Sequence, residues 1–314
     1  MLVDVEARVI RNTRLSPDYN VIALAAPEIA DATQPGQFVM VKSGRGGDPL
    51  LRRPFSVFEV LRSNNRVDGL TLLSKRVGVT TKMLYDAVEG DTISCLGPLG
   101  RPFELVDPPA EAWMVAGGVG LAPFATLGDA LLAHGVKTTL FYGARTDGEL
   151  FYLDRFTSRG IRLVLATEDG SIGDRARITV PLQRELESRT PSPESRDVMI
   201  YGCGPEPMLE AVANVAGKYK RASQVSVERT MGCGMGGCYS CVIPVRSEAG
   251  SDQPSRFALR RSAGTDREAV RPTSTASSGR ERPDLAEAER TRPAHYVRSC
   301  IAGPVFRGED LVWD

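Results

Sequence analysis

No apolar stretch in the 314 residues approaches the roughly 20 that a membrane-spanning helix needs, so no membrane association is expected. Net charge is missing too. The 39 Lys and Arg balance 39 Asp and Glu, so no global positive field invites nucleic acid or anionic lipid. The opening MLVDVEARVI sets acids among alternating Val residues and lacks the basic-then-apolar pattern of a secretory signal, which makes a cytoplasmic location the expectation. Histidine is scarce: His134 and His295 are the only two, and neither has metal-like partners nearby in sequence. They read as helix-end and linker residues. Cysteine is better represented, and six Cys in a chain expected in a reducing compartment point to thiolate ligands or redox groups more than to a disulfide framework. The length exceeds one ordinary core and excludes a single small binding module.

Residues 1 to about 105 carry short apolar or alternating runs separated by Gly, Pro, Asn and Asp. Val3, Val5 and Val9 alternate with polar neighbours, and VIALAAP, QFVMVKSG, GLTLLSKRVG and DTISCLG repeat the pattern at spacings suited to a barrel or sandwich. The one helix expected there is short, around Thr80–Tyr85. From Ala112 the rhythm changes. AWMVAGG, KTTLFYG, IRLVLATEDG and DVMIYGCGP read as strands, and LAPFATLGDALLAHG, ELFYLDRFTSRG and PMLEAVANVAG as helices between or after them. Such alternation predicts an α/β domain with a parallel sheet and ligands at the strand C-termini. A third region begins near Ala222 and holds four of the six Cys. Three domains are therefore expected, at 1–107, 108–221 and 222–314. Within the last, residues 246–294 offer only Phe257, Leu259, Val270 and Leu285 as large apolar groups. That is too little burial to offset ordering entropy, and a mostly disordered, solvated insertion is expected. Its Arg residues are nearly balanced by acids, which favours this reading over an anionic partner site.

The strongest chemical signal is GCGMGGCYSC. Four residues separate Cys233 from Cys238 and two separate Cys238 from Cys241, with Cys300 far downstream, the plant-type spacing for a 2Fe-2S cluster. Each iron takes two tetrahedral thiolates, and a loop rich in glycine can wrap the cluster with its N–H groups aimed at sulfur. Zinc also accepts four Cys, but structural zinc sites usually pair short-spaced ligands in two separate knuckles. Unrelated buried thiols would not gather three Cys in nine residues of Gly-rich loop.

Weaker signals lie upstream. In RRPFSV, an Arg can pair with a pyrophosphate, an aromatic can lie against a flavin ring and a Ser hydroxyl can reach a ring nitrogen, although Arg-Pro-Phe at a strand edge is commonly a plain turn. Gly78, Thr80 and Thr81 precede KMLYDAV, where either a phosphate or an ordinary helix cap fits. In AGGVGLAPF, Gly117, Gly118 and Gly120 follow a strand and open a helix, as a pyrophosphate site would, but Pro123 stands where the dinucleotide fingerprint has its third Gly. YGCGP puts Cys203, with Gly204 and Pro205, at another strand end, where packing is the usual role of a free Cys. At ATEDG, Glu168 and Asp169 can accept from a ribose hydroxyl and repel a 2′-phosphate, which favours NAD over NADP; Arg145 weakens that argument. Cys95, in a strand, reads as packing.

Taken in order, these motifs make the chain resemble the ferredoxin reductase-like flavoproteins, and most closely the electron-transfer subunits of NAD-dependent (class B) dihydroorotate dehydrogenases. The resemblance covers nearly everything outside 246–294: LLRRPFSV resembles the flavin motif, LGPLGRPF the barrel exit, AGGVGLAPF and YGCGPEPM the nicotinamide motifs, and GCGMGGCYSC with CIAGPVF the cluster ligands. It implies an N-terminal antiparallel β-barrel for FAD, an α/β NAD domain and a C-terminal plant-type 2Fe-2S domain. FAD would lie on Arg53, Pro54, Phe55 and Ser56, on Leu73, Ser74 and Lys75, and on Gly78, Thr80 and Thr81. NAD would meet Gly117, Gly118, Gly120, Glu168, Asp169, Gly204 and Pro205, with Cys203 near the nicotinamide but without a covalent role. Cys233, Cys238, Cys241 and Cys300 would hold the cluster.

Two departures stand out: Thr80 replaces a usual Gly, and 58 residues lie between Cys241 and Cys300, longer than the family's return. The implied function is electron passage from an FMN-containing catalytic subunit, which oxidises dihydroorotate to orotate in pyrimidine biosynthesis, through the cluster and FAD to NAD+. A heterotetramer with two of each subunit is expected. The alternatives are a reductase feeding sulfite reduction, ferredoxin or a monooxygenase, and a zinc-bearing interaction protein.

Overall fold

The computed structural model describes residues 2–43, 49–189, 198–246 and 294–313, so the expected disorder of the insertion falls, but for its ends, outside the described residues. Seven strands form the first sheet: β1 (Val3–Arg14), β2 (Tyr19–Ala25), β3 (Phe38–Ser43), β4 (Arg53–Ser56), β5 (Glu59–Ser63), β6 (Arg66–Lys75) and β7 (Thr92–Leu99). Their spatial order is β4-β3-β7-β1-β2-β6-β5, antiparallel throughout. Alternation drives this sheet: Ala7 and Val9 of β1, Ile22 and Leu24 of β2 and Val39 and Val41 of β3 turn inward and bury their side chains together. The result is a half-barrel whose free edges are β4 and β5. Two helices attend it, α1 (Pro27–Ala32) and α2 (Val79–Asp86); the second is the expected one, and the first lies where only strand and turn were anticipated.

The second sheet comprises β8 (Glu111–Gly117), β9 (Lys137–Ala144), β10 (Arg162–Thr167), β11 (Asp174–Arg175), β12 (Val198–Cys203), β13 (Ser223–Ser226) and β16 (Val305–Arg307). Their order is β11-β10-β9-β8-β12-β13-β16, parallel except for the last. Near-continuous burial along β8 and β9 reflects cover on both faces by α3 (Ala122–Ala133), α5 (Thr179–Ser188) and α6 (Glu206–Lys218). Helix α5 went unforeseen because its apolar signal reduces to Leu182 and Leu186 in a polar stretch. Between β14 (Val242–Val245) and β15 (His295–Arg298) runs a short antiparallel ladder, followed by α7 (Ser299–Ala302).

The segment ELFYLDRFTSRG differs from expectation. A 3-10 turn at Asp147–Glu149 leads to Tyr152 in a left-handed conformation, and only α4 (Leu153–Thr157) is helical. The reason is tertiary: Phe151 packs on Tyr19 and Tyr152 on Phe58, each pair with ring centroids 4.9 Å apart, which pulls the chain across to the half-barrel. Beside them Arg155 donates to Glu59 at 2.5 Å and to Asp129 at 3.0 Å. The exit from the half-barrel is fastened likewise, with Phe103 against Phe124 and Tyr201, and Tyr201 donating to the carbonyl of Glu104 at 2.9 Å.

Candidate functional site

The four motif cysteines lie together at one side of the half-barrel. Their loop is shaped by Gly234 and Gly236, at φ of +72° and +80°, and by Tyr239 at +57°. A Cβ on Gly234 would stand 2.6 Å from Cγ of Met40, so only glycine lets the loop seat on β3. The N–H groups of Met235 and Gly237 donate to Sγ of Cys233 at 3.4 and 3.3 Å. Hydrogen bonds from Ser240, then Cys233, draw the Cys238 thiol down to about 6. Cys241 and Cys300 form a buried counterpart, tied by the Ser299 N–H donating to the Cys241 carbonyl at 2.9 Å. Burial, followed by the neighbouring Cys241, pushes the Cys300 thiol up to about 12.

Among the described residues, no three His, Cys, Asp or Glu side chains converge as ligands of one ion. The four thiols nonetheless lie near one another: Cys238 feels Cys233, and Cys300 feels both Cys241 and Cys233. Four thiolates, with backbone N–H groups aimed at sulfur, are the donor chemistry of two bridged irons that each take two sulfur ligands. The donor set fits a 2Fe-2S cluster.

The flavin motif is one strand away. Met40 of β3 stands in register with Pro54 of β4, so the cluster loop and the expected flavin residues flank the same strand. Among the described residues β4 pairs only with β3, and β6 beyond Thr71 pairs only with β2, leaving two strand edges with free backbone groups at the mouth of the half-barrel. Arg53 is exposed, its guanidinium resting on the carbonyls of Leu51 and Arg52; Pro54, Phe55 and Ser56 are half-buried. Leu73 packs between the two sheets, while Ser74 turns into the barrel opposite Asn20 with its buried hydroxyl unpartnered. Lys75 lies 4.8 Å over the Tyr19 ring and donates to Glu149 at 3.2 Å. Thr81 caps α2, its hydroxyl oxygen accepting from the N–H groups of Val77 and Gly78 at 2.8 and 2.9 Å. Thr80 is buried, so the residue standing in place of glycine does not obstruct the open surface over Gly78, where an added Cβ would meet nothing within 4 Å. Free strand edges, the orphaned Ser74 hydroxyl and that open shoulder fit FAD.

The second sheet reverses direction of growth between β8 and β12, the topological switch point at which nucleotides bind in open α/β sheets. Two turns meet there. A Cβ on Gly120 would lie 2.2 Å from the Cys203 carbonyl oxygen, and one on Gly117 would lie 2.8 Å from Sδ of Met208 and 2.9 Å from Cδ of Pro205. Gly118 and Gly204 take φ of +54° and +154°. The glycines thus let two strand ends approach and leave backbone facing the crevice, a cradle that fits a pyridine nucleotide. Cys203 is buried at its wall, and burial, with the charge of Glu228, raises its pKa.

Glu168 and Asp169 lie two strands away, at the end of β10; the Asp169 carboxylate accepts from the Ser171 N–H and hydroxyl at 3.0 and 2.6 Å. Arg145 donates to Glu149 at 3.2 Å, sharing Oε1 with Lys75. Two acids of this region were not anticipated. Glu228 follows β13 and has its pKa raised by burial although part of the residue is exposed, and Glu149 joins the flavin strand to the end of β9. No local pattern marks the contact of Glu149 with Lys75, which spans 74 residues.

An antiparallel half-barrel with a flavin cradle, a parallel sheet with a nucleotide crevice and a thiolate loop define a ferredoxin reductase-like iron–sulfur flavoprotein oxidoreductase. The fold recurs in an NADH-dependent reduced ferredoxin-NADP oxidoreductase studied for flavin-based electron bifurcation, with a TM-score of 0.72 at 23% identity over 99% of this chain and 91% of that one. The Amycolatopsis cytochrome P450 reductase GcoB gives a TM-score of 0.57 at 26% identity over 70% and 67% of the two chains. Residues 114–214 match the oxidoreductase NAD-binding domain family, and residues 228–255 match the iron-sulfur cluster binding domain of dihydroorotate dehydrogenase B. Relatives described as the dihydroorotate dehydrogenase B (NAD(+)) electron transfer subunit include those of Desulforamulus reducens, 33% identical over 76% of this chain and 88% of its own, and Geobacillus kaustophilus, 37% identical over 71% and 82%. The chain belongs to this family of electron transfer subunits. Its cofactors are FAD, a 2Fe-2S cluster and NAD.

Proposed function

We propose that this chain carries electrons from an FMN-bearing catalytic subunit, which oxidises dihydroorotate, to NAD+, within a cytoplasmic assembly of two copies of each subunit. One observation carries the reading: the thiolate loop and the flavin motif flank a single strand, β3, so a one-electron site and a flavin site share a wall. When bound, the cluster supplies single-electron passage and FAD supplies hydride exchange with the nicotinamide. The residues have separable tasks. Arg53, Pro54, Phe55, Ser56, Leu73, Ser74, Lys75, Gly78, Thr80 and Thr81 hold FAD; Gly117, Gly118, Gly120, Gly204 and Pro205 bring backbone to NAD, and Glu168 and Asp169 meet its ribose. Cys203 lines the nicotinamide end as a neutral thiol, and Cys233, Cys238, Cys241 and Cys300 bind the cluster.

Three units are proposed, 1–107, 108–221 and 222–314, with the last lending β13 and β16 to the second sheet. Its outer face presents Met235, Tyr239, Tyr296 and Ile301, exposed by 52, 62, 72 and 41%, and this apolar patch around the thiolate loop supports docking of the catalytic subunit there. Among the described residues no helix is long and apolar enough to cross a membrane.

The reading assigns every flavin and cluster group to transport. The purified chain should therefore reduce artificial dyes from NADH, form no orotate from dihydroorotate, and gain NAD-linked turnover on addition of the FMN subunit. Orotate formation by the FMN-free chain would overturn the division of labour.

A further inference from the structure

The peptide joining Gly236 to Gly237 carries two contacts on opposite sides. Its carbonyl oxygen accepts from Arg298 at 2.6 Å, and its N–H donates to Sγ of Cys233 at 3.3 Å. A trans peptide aims its oxygen and hydrogen in opposite directions, so fixing one fixes the other. Arg298 is well placed to do this. It ends β15 in register with Val242, its guanidinium lies 4.7 Å over the Tyr239 ring, and Ile301, a turn further on, closes against Gly236, where an added Cβ would be 2.8 Å from its Cγ1. The guanidinium is thus braced by strand, ring and carbonyl, two residues ahead of Cys300.

We propose that Arg298 is a positioning residue that sets the cluster's reduction potential through the 236–237 peptide. Bound to the carbonyl, the cation polarises the peptide and strengthens its N–H as a donor to the Cys233 sulfur. Hydrogen bonds to sulfur and nearby positive charge both favour the reduced, more negative cluster, so both raise the potential. The same contact ties the strand that returns from the long insertion to the ligand loop, which aligns Cys300 with the other three ligands.

The inference rests on the 2Fe-2S reading, and the experiment separates the two. The full chain with its cofactors is titrated under electron paramagnetic resonance, comparing the unaltered protein with Arg298→Gln and Arg298→Lys. The Gln variant should shift the midpoint to a more negative potential and alter the spectrum of the reduced cluster. The Lys variant, which keeps the charge without the planar fork, should fall between. Should the Gln variant not retain its cluster, the Lys variant carries the test alone, and a midpoint below that of the unaltered protein supports the role. Cluster-replete variants with unchanged midpoint and spectrum would overturn it, while absence of a 2Fe-2S signal from the unaltered protein would overturn the cofactor reading instead.

Discussion

Glu111 illustrates how single residues are stabilised here. It opens β8 and is buried, with its carboxylate accepting from Lys137 at 3.1 Å and Arg189 at 2.8 Å, while the Arg189 guanidinium lies 4.6 Å from the Trp113 ring centre. Burial alone would raise its pKa, but hydrogen bonds from Arg189 and then Lys137 outweigh it, and the pKa is lowered from 4.5. A carboxylate with a depressed folded-state pKa contributes stability that is present above its unfolded value and lost as the pH falls through the folded value. Glu111→Gln should therefore destabilise the protein at pH 7, and the gap between variant and parent should narrow as the pH drops below 4.5. Urea denaturation across that range measures it; a gap that does not change with pH would rule out the ionic contribution. At the same scale Gly120 was legible from the turn it occupies, but the carbonyl that demands its lack of a side chain belongs to Cys203, 83 residues away.

At the scale of elements, the return to Cys300 is rebuilt by short pieces. β15 lies on β14 over four paired residues, the Arg246 N–H donates to the Asp310 carbonyl at 2.8 Å, and β16 joins β13. The β14–β15 and β13–β16 ladders use residues outside the insertion, so they hold its two flanks together whatever its length. Since each doubling of a flexible loop costs only about 0.6 kcal/mol, its length is thermodynamically mild. Joining Val245 to Arg292 through a short Gly/Ser linker should leave both FAD and the cluster bound, read from the visible spectrum and metal content. Loss of the cluster on deletion would assign the segment a structural role. The four central strands of the second sheet, β8, β9, β10 and β12, and most of its helices were readable because their periodicity is local, whereas the short β11, β13 and β16 carry too few residues to show one. Helix α4 was overestimated because the aromatic pair Phe151 and Tyr152 answers to the half-barrel instead of to its own segment.

For the whole molecule, the decisive feature is the seam between the two large sheets. It is built from Tyr19 with Phe151, Phe58 with Tyr152, Lys75 with Glu149, and Arg155 bridging Glu59 to Asp129. This seam joins the half-barrel to the second sheet at the strands and loops that carry Lys75 and Glu149. The Arg155 side chain is 13% exposed, so its removal leaves Glu59 without its cation in a partly desolvated place, while Asp129 keeps Arg159. Arg155→Ala should cost about 2 kcal/mol, within the range for hydrogen bonds to charged groups. Thermal unfolding would record this as a lowered midpoint, and an unchanged midpoint would show that the aromatic pairs suffice.

The sequence by itself determined the thiolate spacing, the glycines that bring backbone toward a ligand, and the change from alternating strands to strand–helix units. These properties depend on residues within a turn or two of one another, where periodicity and backbone freedom act directly. Tertiary structure decided why the cluster loop seats on β3 beside the flavin motif, how Glu228 comes to bear on Cys203, and why Arg298 holds the peptide that donates to Cys233. Each of these joins segments distant in the chain, and their meeting depends on strand order, register and the packing of one sheet against another, which no local pattern encodes.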